Sequence, residues 1–188
     1  MAFFEIQLQR KQEIEENLLK QMRDTPYEQI TVKNLTEGLQ IARKTFYHYF
    51  PSKQACLESM VDRIIQECDL AVMAMPNKAD SFERCMERMR FWSDHRAFLD
   101  AIDRNSLEYL FIDRIMLYTF RENDLTRLRL STEQMPCDED ILYFYISSQI
   151  LLLLKWSREG FSLSPEDMAR KTLRLMYEPL LSQRGQNP

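Results

Sequence analysis

The 188-residue chain contains only three glycines, Gly38, Gly160 and Gly185. That scarcity excludes a G-x-G-x-x-G turn, a P-loop and a nucleophile elbow, and with them the nucleotide and hydrolase chemistries built on glycine-rich loops. Histidine is scarcer still. His48 and His95 are the full set, and neither has a cysteine at ligand spacing, so no metal site is expected. The four cysteines, Cys56, Cys68, Cys85 and Cys137, never form C-x-x-C; reduced, mostly buried thiols of a cytoplasmic protein are the expected state. Long apolar runs are missing too. The most apolar segment, ILYFYISSQILLLL from Ile141 to Leu154, falls short of the about 20 residues that a bilayer span needs. The opening MAFFEIQLQRKQE brings in charge too early for a signal-peptide core, so no membrane partner is expected. With no nucleophile, base and orienter in reach of one another, no enzyme activity and no cofactor are expected.

What is abundant is Leu, Met, Glu, Gln, Arg and Lys, a composition that favours helix. Apolar spacing predicts an all-α chain of about nine helices. The first four cover roughly 6–23, 32–38, 42–49 and 51–75, with Thr31 capping the second and Pro51-Ser52 opening the fourth. Asp80 with Glu83 makes a capping box for the fifth, and a short sixth follows over about 94–105. A long seventh spans about 106–128 and an eighth 138–159, ending at Gly160 in a left-handed C-cap. Ser164-Pro165-Glu166-Asp167 opens a ninth that runs to about Ser182. Residues 132–137 read as a loop and the tail SQRGQNP as frayed.

The stretch LTEGLQIARKTFYHYFPSK, Leu35 to Lys53, stands apart. Between Thr31 and Lys53 four cations face one acid, a local net of +3, which leaves −7 for the remainder of a chain whose total is −4. A basic head on an acidic body suits a nucleic-acid surface. Two short helices joined by a tight turn on a preceding helix make a helix-turn-helix, whose second helix enters the major groove. Ala42 permits close approach, Arg43 and Lys44 reach guanine acceptors or phosphates, and Thr45 offers a hydroxyl and a methyl. Phe46 and Phe50, four apart, are expected in the core with Leu35 and Ile41. Tyr47 turns elsewhere to donate to a phosphate, with Thr31, His48 and Lys53 as further contacts.

ITVKNLTEGLQIARKTFYHYFPSKQACL resembles the DNA-binding signature of the TetR family of bacterial transcriptional regulators. Thr31-Val32 matches its opening, Thr45-Phe46-Tyr47 its middle, and Tyr49-Phe50 with Ser52-Lys53 its close. More weakly, Trp156, Gly160 and Ser164-Pro165-Glu166 resemble a C-terminal module of some members. Two positions depart from the pattern. The turn has Gln40 where the family has glycine, which suggests a turn reshaped around Gly38. Ala42 replaces the usual hydroxyl before the recognition helix.

The resemblance implies a helix-turn-helix domain over 1–53 and a helical effector-binding and dimerisation domain over 54–188. It implies a homodimer, joined through the last two long helices, that binds a near-palindromic double-stranded operator with its recognition helices about 34 Å apart. Interface candidates are Tyr145, Leu152, Trp156 and Leu173. A small-molecule effector pocket is implied in the middle region, with Trp92, His95, Tyr109 and Met116 as candidates. A competing expectation is a helical adaptor that answers to a protein partner and carries a weak DNA head.

Overall fold

Proline and capping residues place the helix ends. In the computed structural model, which describes residues 2–121 and 139–177, Thr25 and Pro26 end α1 (Ala2–Met22). A 3-10 turn, Tyr27–Gln29, leads to α2 (Val32–Gly38). α3 (Arg43–Tyr49), α4 (Lys53–Met73), α5 (Ser81–Asp94), α6 (Arg96–Arg104) and α7 (Glu108–Arg121) follow, then α8 (Glu139–Arg158) and α9 (Pro165–Tyr177). No strand occurs among the described residues. α1 begins earlier than the expected Ile6. The C-terminal part of the long seventh helix, the 132–137 loop with Cys137, and the tail lie outside the described residues.

Most expected caps form. Thr31 and Asn34 cap α2 reciprocally, and Asp80 with Glu83 does the same for α5. Ser52 accepts from the Ala55 amide at 3.0 Å, and Ser164 accepts from that of Asp167 at 3.0 Å. Gly160 is left-handed, at φ +68°.

The turn between α2 and α3 corrects an expectation. It is not rebuilt around Gly38; Gln40 itself takes the left-handed conformation, at φ +54°. The Gln40 amide donates to Glu37 and the Ile41 amide to Thr36, at 3.2 and 3.0 Å, which is a Schellman closure. Gly38 serves a different purpose. A Cβ there would lie 3.1 Å from the Asn17 side chain on α1, and Asn17 donates to the Leu35 carbonyl at 2.9 Å. Gly38 lets α1 and α2 touch; it does not bend the chain.

Ile14, Leu18 and Met22, spaced four apart, carry the inner stripe of α1. Glu15, a charged residue next to that stripe, is 1% exposed. It survives burial because Ser59 and the Arg63 Nε bind its two oxygens at 2.7 and 2.6 Å. On another side of α4, Arg114 of α7 forks onto Asp62, with Nε to Oδ1 at 2.7 Å. α4 thus packs against α1 and also against α5 and α7. One apolar core runs continuously from Ile14 through Met60 to Trp156 and Ala169.

The chain entering α2 is held from two sides. Asn105, at the end of α6, accepts the Tyr27 amide at 2.6 Å, and Lys53 donates to the Tyr27 carbonyl at 2.6 Å.

Candidate nucleic-acid interface and internal cavity

α3 is seven residues long and is held by one ring within it and one at its C-cap. Phe46 and Phe50 are buried, with ring centroids 5.8 Å apart. Since side chains four apart share a face, fixing these two turns Arg43, Lys44, Tyr47 and His48 outward, and all four are exposed with Ala42. Arg43 and Lys44 make no ion pair among the described residues. Tyr47 is 54% exposed and meets Phe46 edge-on at 5.5 Å. Thr45 and Tyr49 are half-buried. Ala42 caps α3 with backbone alone: its carbonyl accepts from the Thr45 amide at 2.9 Å.

Two predicted contacts have local employment. The Thr31 hydroxyl binds Asn34 and closes the cap of α2. Lys53 lies 4.0 Å from the centroid of the Tyr27 ring while donating to the Tyr27 carbonyl. Partial burial there lowers its pKa, against the pull of Glu28. The ammonium is therefore held at the α1–α2 junction.

A second feature lies in the body. A cavity of about 130 Å³ opens among α4, α5, α7, α8 and α9. Its apolar wall includes Ile65, Met89, Trp92, Phe111, Ile150 and Leu153. Polar groups also reach it, chiefly Asp69, Arg88, Tyr118 and Gln149. Tyr118 Oη donates to Asp69 at 3.0 Å.

Of the four sequence candidates for a pocket, the structure brings only Trp92 to this cavity. α5 stops at Asp94, so His95 sits in the break between helices and does not continue the face of Trp92. Its ring stacks on Phe91 at 3.9 Å, with Nδ1 2.8 Å from the Phe91 carbonyl. Tyr109 is on the outer side of α7 and 69% exposed. Met116 is buried in the core outside the lining. Sequence reasoning missed Arg88, although a signal existed. Cys85, Met89 and Trp92 form the inner stripe of α5, and Arg88 falls on that stripe, three after Cys85 and four before Trp92.

The interface candidates also divide. Trp156 is spent inside its own chain, buried, with its indole N–H on the Leu163 carbonyl at 3.1 Å. Tyr145, Leu152 and Leu173 are half-buried. The apolar groups that α8 leaves exposed are Ile141, Tyr143, Phe144 and Leu151, Phe144 most of all at 76%. No helix among the described residues is long and apolar enough to cross a membrane.

Residues 18–60, which hold this head from mid-α1 into α4, match the family model described as bacterial regulatory proteins, tetR family. The head is thus similar to the DNA-binding domain of the tetR family of bacterial regulators. The chain is 42% identical over 74 residues to the HTH-type transcriptional regulator EthR of Mycobacterium tuberculosis, a match covering 39% of this chain and 33% of EthR. The chain thus spans about a third of the length of this relative. The TetR fold extends further than this likeness. A TetR-family regulator from Syntrophomonas wolfei superposes with a TM-score of 0.65 at 16% identity, over 89% of this chain and 92% of that one. Thermus thermophilus FadR, a TetR-family repressor solved with lauroyl-CoA, gives 0.52 at 16% identity, over 95% and 98%.

Proposed function

We propose that this chain is a member of the TetR family, a homodimeric, DNA-binding transcriptional repressor released from its operator by a small molecule held in the cavity. Residues 1–53 supply the DNA-binding head and 54–188 the effector-binding and dimerising body, with α4 shared between them. One observation carries the reading. α3 spends Phe46 and Phe50 on the core and leaves Arg43, Lys44, Tyr47 and His48 exposed together on one short helix. Cations without partners on a narrow element match what phosphate and base-edge contacts require.

The dimer rests on α8. Ile141, Phe144 and Leu151 recur three and seven apart, an apolar strip along a helix whose other side already fills its own core. A second copy covering that strip would set two α3 helices on one side of a two-fold axis, as a near-palindromic operator needs.

A gel-shift titration on promoter DNA tests both parts. The parent chain is expected to bind selectively, with an affinity that falls steeply as salt rises. Phe144→Asp is expected to turn the dimer into a monomer by sedimentation and to lower operator affinity at least tenfold. Binding that is absent at every salt concentration, or indifferent to sequence, refutes the DNA-binding assignment. An intact Phe144→Asp dimer removes α8 from the interface.

A further inference from the structure

We propose that the cavity takes a small monocarboxylate, its charged group paired with Arg88 and its apolar body lying against Trp92, Phe111 and Ile150. This rests on reading the cavity as the effector site and adds the chemical class of the effector.

Charge selects the head group. Arg88 lines the cavity from α5 and makes no ion pair among the described residues. The other half-buried arginines linked to α4 are committed, Arg63 to Glu15 and Glu67, Arg114 to Asp62 and Glu58, and Arg84 to the carbonyls of Val72, Pro76 and Ala79. The neighbour of Arg88 is the Cys68 thiol, and burial pushes that thiol up to about 12 even with the guanidinium beside it. The thiol is therefore neutral near pH 7 and supplies no counter-charge to the guanidinium. Asp69 is the carboxylate of the lining; it accepts from the Tyr118 hydroxyl and makes no ion pair with Arg88. A guanidinium facing a largely apolar space with no ion-pair partner is costly, and a carboxylate matches its planar fork with two parallel hydrogen bonds. Gln149, whose side chain has no hydrogen-bond partner among the described residues, lines the same space and offers an amide donor.

Volume selects the body. The space is about 130 Å³, close to the roughly 150 Å³ of a dry apolar cavity that admits benzene. It suits one ring or a short folded chain and leaves no room for a nucleotide. Trp92 and Phe111 meet at 5.4 Å in a T-shaped pair at the wall, which supplies both a ring face and a ring edge.

The test is calorimetric titration of the full chain with octanoate, 3-phenylpropanoate, the neutral amide of each, and octylamine. The acids are expected to bind at least tenfold more tightly than their amides, and octylamine more weakly than either. Arg88→Gln should bring the acids down to the level of the amides while the affinity of the amides stays unchanged, which shows that the cavity survives. Should that variant not fold, the acid-to-amide ratio of the parent chain decides alone. Equal affinity of acid and amide, a preference for the amine, or no binding of any probe at millimolar concentration overturns the proposal. Promoter binding on the same preparation separates the two claims. DNA bound without a preference for acids defeats the carboxylate assignment only, and acid preference without DNA binding defeats the regulator assignment only.

Discussion

Consecutive helices α3 and α4 treat charge in opposite ways. On α3, Arg43 and Lys44 have no ionic partner among the described residues and stand in the open. On α4, Arg63 holds a nearly inaccessible Glu15, while Asp62 and Glu58 hold Arg114 from α7. Both helices are rich in polar groups, so composition does not separate them. Pairing does. A bound charge fixes one helix against another, and an unbound charge is available to something outside the chain. Arg88 belongs with α3 in this respect, although it lies in the body.

The strongest way to break the contrast is Arg63→Met. It strands the Glu15 carboxylate in the core and is expected to cost about 3–5 kcal/mol in urea unfolding. A loss under 1 kcal/mol would mean that α4 is not clamped through this pair. High pH probes the inner side of the same helix. Burial, aided by Glu15 for Cys56, pushes the Cys56 and Cys68 thiols from an ordinary 9.0 up to about 12. Raised pKa values favour the protonated form in the folded state, so this contribution is complete below pH 9. It is lost as pH rises from about 9 towards 12, by roughly 1 kcal/mol per thiol for each pH unit at first. Denaturation midpoints between pH 7 and 10.5 should fall accordingly, and less steeply in Cys56→Ala.

Arg43→Ala sharpens the contrast from the other helix. Operator affinity should drop by about 1–3 kcal/mol while unfolding stability stays within about 0.5 kcal/mol. A destabilised variant would place Arg43 among the structural charges. The smallest effect is expected at the turn between α2 and α3. Gln40→Gly relieves a left-handed side chain and, after the added freedom of the unfolded chain, should gain about 0.5–1 kcal/mol. A loss of stability there would show that Gln40 contributes through its side chain.

The helices and the head were largely legible in the sequence, because Thr31, Ser52, Asp80, Ser164 and Gly160 are local signals that act on their own neighbours. Phe46 and Phe50 were legible for the same reason, since a spacing of four on a short basic helix leaves one choice for the core. The cavity was not. Its lining comes from five helices, and whether a side chain reaches it depends on where each helix stops. The break at His95 removed one candidate, and the rotation of α7 put Tyr109 outside. The burial of Glu15 depends on partners distant in sequence, a hydroxyl and a guanidinium on α4, and that of Trp156 on how the chain folds back after Gly160 to bring Phe161 and the Leu163 carbonyl against it. The duty of Gly38 was hidden too, because the atoms that need its missing methyl belong to Asn17 on another helix.

Tyr27 has its two backbone groups gripped from opposite quarters, the amide by Asn105 of α6 and the carbonyl by Lys53 of α4. α4 contributes Ile65, Cys68 and Asp69 to the cavity, and α6 presses Phe98 against two of the cavity's rings, Trp92 and Phe111. One peptide unit thus works as a pivot. A displacement of either helix is transmitted to the segment that leads into α2, or else it must tear one of those two bonds.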